Sequence, residues 1–168
     1  LEKNEVKNTF LTDNFDVNAS YIWNDTIFIA TEAGIYQGNL NLNLGDFTNW
    51  NFHGASKGLS GSYYSSVMTF FQGKLFANIN NELQYYDGIQ WKDFESRTGG
   101  ATQNEPNFTR PDDYLSLEPS MDGNKLMLAT SLSIMSLDLD GFYSVFFGLT
   151  QNPRQIIRDG NEMYFADL

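Results

Sequence analysis

The sequence predicts an all-β chain, a partial β-propeller of about three to four four-stranded antiparallel blades. Three observations carry that expectation. A turn rich in Asn, Asp and Gly leads four times into an apolar strand ending in a small-residue step: Asn24–Thr31, Gln72–Ile79, Asp122–Thr130 and Asp159–Asp167. The equivalent positions Ile27, Leu75, Leu126 and Met163 are 48, 51 and 37 residues apart, and propeller blades run to roughly 40–50 residues. Residues alternate apolar and polar over short stretches, the period of strands, and no 3.6-residue period competes with it.

Each blade needs four strands, and the chain supplies candidates in order. The innermost strands are Tyr21–Trp23, Ser66–Phe70, Tyr114–Leu117 and Gln155–Ile157. The repeat strand follows, and then a third: Ile35–Tyr36, Leu83–Tyr86 and Ile134–Leu137. Outer strands are expected at Trp50–His53, at Ile89–Phe94 after the Asp87-Gly88 turn, and at Gly141–Phe147. Blades therefore fall at about 18–56, 62–97, 113–150 and 152–168, within one domain spanning 1–168. The fourth copy stops after its repeat strand, so an incomplete ring is expected, with Leu168 in or beside a strand lacking a hairpin partner. Residues 1–17, with Phe10, Leu11 and Phe15, are read as an outer strand of a preceding blade.

Composition agrees. Fourteen Phe and nine Tyr among 168 residues suit pleated surfaces. Only 18 % of residues are charged, against the Glu and Lys richness of helices. A net charge of −11 repels phosphate backbones, which argues against nucleic acid as a partner. No cysteine is present, so disulfides and thiolate chemistry are excluded. No apolar run approaches the ~20 residues of a membrane helix, and Leu1–Glu5 does not read as a signal peptide.

No constellation for catalysis emerges, and the chain is expected to be no enzyme. His53 is the only histidine and sits in an expected outer strand beside Trp50 and Phe52. A zinc site would need more ligands, and Asp138–Gly141 lacks the further oxygen ligands of a calcium loop, so it reads as a hairpin turn. Acidic pairs such as Asp112-Asp113 are expected by chance among 21 acidic residues. Neither metal nor cofactor is expected. Three glycosylation sequons begin at Asn18, Asn24 and Asn107, and for Asn24 a tight turn is reason enough. Most of Trp23, Trp50, Trp91, Tyr85 and Tyr86 are expected in cores between blades. Binding is expected from two long loops instead. Tyr63 and Tyr64 lie by a Gly-rich segment, and Arg110 lies in the loop Glu95–Asp113.

The stretches Ile27–Tyr36 and Leu83–Trp91 resemble the blade signature of bacterial surface propellers, and Ile27–Trp50 is most similar to the PorZ-like propellers of the Bacteroidota type IX secretion system. The third copy departs from the pattern, with Ser131–Ile134 in place of a Gly-containing turn. The resemblance implies a non-enzymatic scaffold at the cell surface, on the outer side of the outer membrane. Its implied partners are a surface sortase, other secretion proteins and anionic lipopolysaccharide. The alternatives are the periplasmic glycan-sensing propeller of a hybrid two-component system and a carbohydrate-active propeller enzyme.

Overall fold

In a computed structural model of the chain, residues 16–60, 67–80, 82–94, 115–130, 133–140, 143–148, 153–159 and 162–167 are described. They form antiparallel sheets in strict sequence order. The first is β1 (Val17–Trp23), β2 (Thr26–Thr31), β3 (Gly34–Asn39) and β4 (Trp50–His53). The second is β5 (Met68–Phe71), β6 (Lys74–Ile79), β7 (Glu82–Tyr86) and β8 (Trp91–Asp93). The third is β9 (Ser116–Pro119), β10 (Leu126–Ala129), β11 (Ser133–Leu137) and β12 (Tyr143–Gly148). The fourth pairs β13 (Pro153–Asp159) with β14 (Glu162–Asp167). Neighbouring sheets touch along their first strands, β1 to β5, β5 to β9 and β9 to β13. Four such sheets stacked about their first strands are blades of a propeller. Leu168 lies outside the described residues.

The register shows why the repeat works. Trp23↔Thr26, Phe71↔Lys74 and Asp159↔Glu162 close equivalent hairpins. Ile27, Leu75, Leu126 and Met163 therefore occupy one position, each the second residue of its pairing or next to it. Side chains alternate across a strand, so the repeat strands β6 and β10 each serve two cores. On β6, Leu75, Ala77 and Ile79 face the first blade, where they bury with Phe28, Ala30 and Ile35. Phe76 faces the third blade with Leu83 and Phe94, against Leu117, Leu126, Leu128 and Met135. On β10, Met127 and Ala129 turn the other way, with Ile134, toward Ile156 of the fourth blade. The cores thus lie between blades, as flat sheets that cannot bury a face alone require.

Specific side-chain contacts cross each seam. Gln72 Nε2 donates to the Gly123 carbonyl at 3.0 Å between the second and third blades. The Ile156 amide donates to Ser116 Oγ at 3.2 Å between the third and fourth. In the first seam Trp23 stacks on Phe70 with centroids 3.7 Å apart.

The hairpins explain the small-residue step. Thr31 Oγ1 donates to the Gly34 carbonyl at 3.0 Å and accepts from the Ala33 amide at 3.2 Å. Thr130 Oγ1 repeats this, donating to the Ser133 carbonyl at 3.1 Å and accepting from its amide at 3.0 Å. Ala30 and Ala129 just before them are fully buried.

Two strand starts are corrected. The outer strand expected from Ile89 begins at Trp91, because Asp87–Gln90 is consumed by the turn: Asp87 Oδ1 accepts from the Ile89 and Gln90 amides at 2.9 and 3.0 Å. Ile89 stands at the turn with 78 % of its surface exposed. The third innermost strand begins at Ser116 rather than Tyr114, which lies outside the described residues. Asp138–Asp140 is the expected turn, with Asp138 Oδ1 accepting from the Asp140 amide at 3.0 Å. The expected early strand with Phe10, Leu11 and Phe15, and the loop Glu95–Asp113, fall outside the described residues.

Candidate binding surface

Three of the sequence's site residues, Tyr63, Tyr64 and Arg110, lie outside the described residues. The first two fall in sequence between β4 and β5, and Arg110 between β8 and β9. Asn107 is outside as well. The remaining candidates are placed, and most serve the fold.

His53 is fully buried at the end of β4, against the second blade. The Trp91 indole N–H donates to His53 Nδ1 at 3.1 Å. That assigns the imidazole proton to Nε2, which donates to Gln37 Oε1 at 3.0 Å. Tyr86 lies over the ring at 4.6 Å between centroids. Burial, helped by the positive charge of Lys57, pushes the His53 pKa down from 6.5 to about 4. Both ring nitrogens are committed to side chains of the core, so the imidazole holds the seam. Trp91 and Tyr86 are buried with it, as expected of core aromatics.

The carboxylates of the turns are likewise engaged. Asp122 accepts from Ser120 Oγ at 2.6 Å and from Asn124, which holds its pKa down at about 2. Asp87 is held well below the usual carboxylate range by Lys92, 2.6 Å away, and by the turn amides. On β9, half-buried Glu118 has its pKa raised by burial, opposed by the charge of Arg158 on β13. Among the described residues no group of three or more His, Asp and Glu could hold a metal ion.

What remains exposed and apolar is concentrated on the first blade. The loop between β3 and β4 carries Leu40, Leu42 and Phe47, and Phe52 follows on β4. This loop is not among the binding candidates expected from the sequence. The side chains of Asn39, Asn43 and Asn49 are committed to its own backbone. Asn39 Oδ1 accepts from the Asn41 amide, and Asn43 Oδ1 from the Gly45 amide, each at 2.9 Å. Asp46 Oδ1 caps the short 3₁₀ turn Phe47–Asn49 through the Thr48 amide and hydroxyl at 2.9 and 2.8 Å. Asn49 Nδ2 donates to the Asn43 carbonyl at 2.8 Å, and Trp50 Nε1 to the Leu44 carbonyl at 3.0 Å. Side chains that lock a loop into one shape remove the ordering cost of using it for recognition. Phe47, 53 % exposed, and Phe52 both contact the Tyr36 ring, at 6.3 and 4.9 Å between centroids. This is an aromatic ledge on a rigid sheet with a pre-shaped loop beside it. Its chemistry suits apolar or stacking contacts.

No protein-family profile and no curated protein sequence matches the chain. Solved structures do. One is the extracellular domain of BT4673 from B. thetaiotaomicron, described as a one component system, at 14 % identity and a TM-score of 0.59, covering 94 % of this chain and 20 % of that one. A second is PorZ, a surface component of the type IX secretion system of Porphyromonas gingivalis, at 10 % identity and 0.59, covering 90 % and 18 %. A third, from Bacteroides fragilis and described as a 6-phosphogluconolactonase, shares 13 % identity at 0.55 and is covered over 48 % of its length. The chain thus spans about a fifth of the first two and about half of the third. At these identities the likeness is one of backbone, and it places the chain among propeller-like β folds.

Proposed function

We propose that this chain supplies blades to a non-enzymatic binding propeller working outside the cytoplasm, as part of the type IX secretion attachment machinery. The observation that carries the reading is the division of labour among its polar groups. His53 and the turn carboxylates Asp87 and Asp122 are spent on seams and turns, while a locked loop and aromatic ledge stand exposed on the first blade. A rigid scaffold displaying loops is a recognition device. The backbone likeness to PorZ and to the BT4673 extracellular domain supports a cell-surface or periplasmic setting. In this reading the partners are a surface sortase, other secretion proteins and anionic lipopolysaccharide, with no cofactor. The net charge of −11 means that lipopolysaccharide would be met through local apolar and basic groups rather than bulk attraction.

The same fold likeness supports a second reading, the glycan-sensing periplasmic propeller of a two-component system. One experiment separates them. The immobilised chain is exposed to Bacteroidota outer-membrane extract and, separately, to a panel of polysaccharide fragments. Recovery of an identified secretion component or lipopolysaccharide is the expected result. Binding of neutral glycan fragments alone would favour the sensor, and turnover of any fragment would favour a propeller enzyme and end the non-enzymatic reading.

A further inference from the structure

The strands of each blade run up and down in order, so a blade has two ends. At one end the first strand turns into the second and the third into the fourth. Contacts between those turns show that the blades point the same way. The Leu40 amide, opening the loop from β3 to β4, donates to the Asp25 carbonyl in the β1–β2 turn at 2.7 Å. Trp23, closing β1, stacks on Phe70 of β5. Gln72 in the β5–β6 turn reaches Gly123 in the β9–β10 turn. The turns of the first three blades therefore share one end of the molecule. That end displays apolar side chains. Leu40, Leu42, Ile89 and Met121 are 41 %, 50 %, 78 % and 48 % exposed, and they come from three blades. At the opposite end, Val17 is the one large apolar side chain exposed among the described residues.

Each apolar tip has a carboxylate beside it. Asp25 lies next to Leu40 through the turn bond, Asp87 precedes Ile89, and Asp122 follows Met121. Asp138 and Asp140 add to them from the β11–β12 turn. Hydrogen bonds from Lys92 and from Ser120 hold the carboxyl groups of Asp87 and Asp122 below their ordinary range. Cations at this end are fewer, and two are spent locally: Lys92 pairs with Asp87, and the Lys74 ammonium lies over the Tyr85 ring. We infer that this end is an interaction surface for a protein partner whose contact face mixes Lys or Arg with apolar side chains. Charge complementarity selects that occupant, because nucleic acid, anionic lipid or an acidic protein would meet like charge. The apolar tips supply the contact and the carboxylates orient it. The tips stand on turns already locked by their own side chains, so little ordering is left to do on binding. The inference rests on the binding half of the reading above and not on the secretion assignment. It extends the surface from one loop to three blades, and anionic lipopolysaccharide would have to meet a different face.

The test uses the 168-residue chain and two synthetic peptides with the same apolar pattern, one of Leu with Lys and one of Leu with Glu. Calorimetric titration should show the Lys peptide binding, the Glu peptide not, and the affinity falling as salt is raised. Leu42→Ser combined with Ile89→Ser alters exposed positions on two blades, and should weaken binding at least about tenfold. Val17→Ser at the opposite end should leave it unchanged, and each variant should keep the wild-type far-ultraviolet spectrum. Asp25→Asn combined with Asp140→Asn should weaken binding and flatten its salt dependence. Equal affinity for the two peptides overturns the proposal. So does undiminished binding in the Leu42→Ser and Ile89→Ser chain, which would mark bulk attraction to the net charge of −11. Tighter binding to neutral or anionic phospholipid vesicles than to the Lys peptide would make this end a membrane contact and overturn it as well. None of these results depends on what an outer-membrane extract yields, so this inference and the secretion reading fail separately.

Discussion

The Trp91 indole reaches across the first seam to donate its proton to His53 Nδ1 at 3.1 Å. The bond joins the outer strand of one blade to the outer strand of the next, 38 residues apart in sequence. It also forces the imidazole to be neutral, since a protonated Nδ1 would face another donor. The first prediction follows from that.

The folded-state pKa of His53 is depressed, from 6.5 to about 4. Between those values the unfolded chain binds a proton that the folded chain refuses, so stability rises with pH across this window and is lost as pH falls through it. Above pH 6.5 neither state is protonated and the effect vanishes. The upper bound is about 3 kcal/mol. Urea melts of the wild type and His53→Gln at pH 7.5 and 4.5 check it. Other carboxylates cancel in the difference, and the wild type should lose about 2 kcal/mol more than the variant.

Trp91→Phe keeps an aromatic ring in the seam and removes the indole N–H. A buried nitrogen of His53 then loses its donor, at a cost of about 1–3 kcal/mol. Some indole area goes too, so a total near the upper end is expected in a chemical melt at pH 7.5. The His53 pKa should rise in the variant, visible in its imidazole proton resonances.

Gly34 and Gly73 both have positive φ, 149° and 80°. They differ in surroundings. A Cβ on Gly34 would sit 2.5 Å from the His53 carbonyl oxygen, while one on Gly73 meets nothing within 4 Å. Gly73→Ala should cost about 1 kcal/mol, the backbone penalty alone. Gly34→Ala must also push β4 off β3, and should cost about 3 kcal/mol or more. Comparing the two melts separates strain from steric displacement.

Thr130→Val is nearly isosteric and deletes both hydroxyl bonds to the Ser133 backbone. An expected loss of about 1–2 kcal/mol follows. Hydrogen exchange should show the β10–β11 hairpin amides losing protection while those of β2–β3 keep theirs.

The strand order was legible because the repeat strands have one pattern and the turns carry their own chemistry. Ile27, Leu75, Leu126 and Met163 could be aligned by eye, and the pairings confirm the alignment. Strand ends were less legible. Asp87 folds two further residues into its turn through side-chain bonds, so Ile89 looks like strand but is not. The role of His53 could be guessed from its strand, yet its partner Trp91 could not, because a seam joins residues that share no local pattern. The exposed ledge was hidden for a different reason. Asn39, Asn43 and Asp46 look like generic turn formers, and nothing in their order says that they accept from the Asn41, Gly45 and Thr48 amides and leave Leu42 and Phe47 outside. Tyr63, Tyr64 and Arg110 were chosen for their loops and fall outside the described residues.

Because β6 and β10 are each a wall shared by two rooms, the unit that melts is the seam rather than the blade. Neighbouring positions on β6 belong to different partners: Leu75→Ala should couple energetically to Ala30 and Ile35, and Phe76→Ala to Leu117 and Leu128, with little coupling between the two pairs. Stability then adds along the chain as nearest-neighbour terms. Damage at Ile156 should be felt by the third blade and go unnoticed at Phe28, so such a protein can lose an end blade while its middle stays folded.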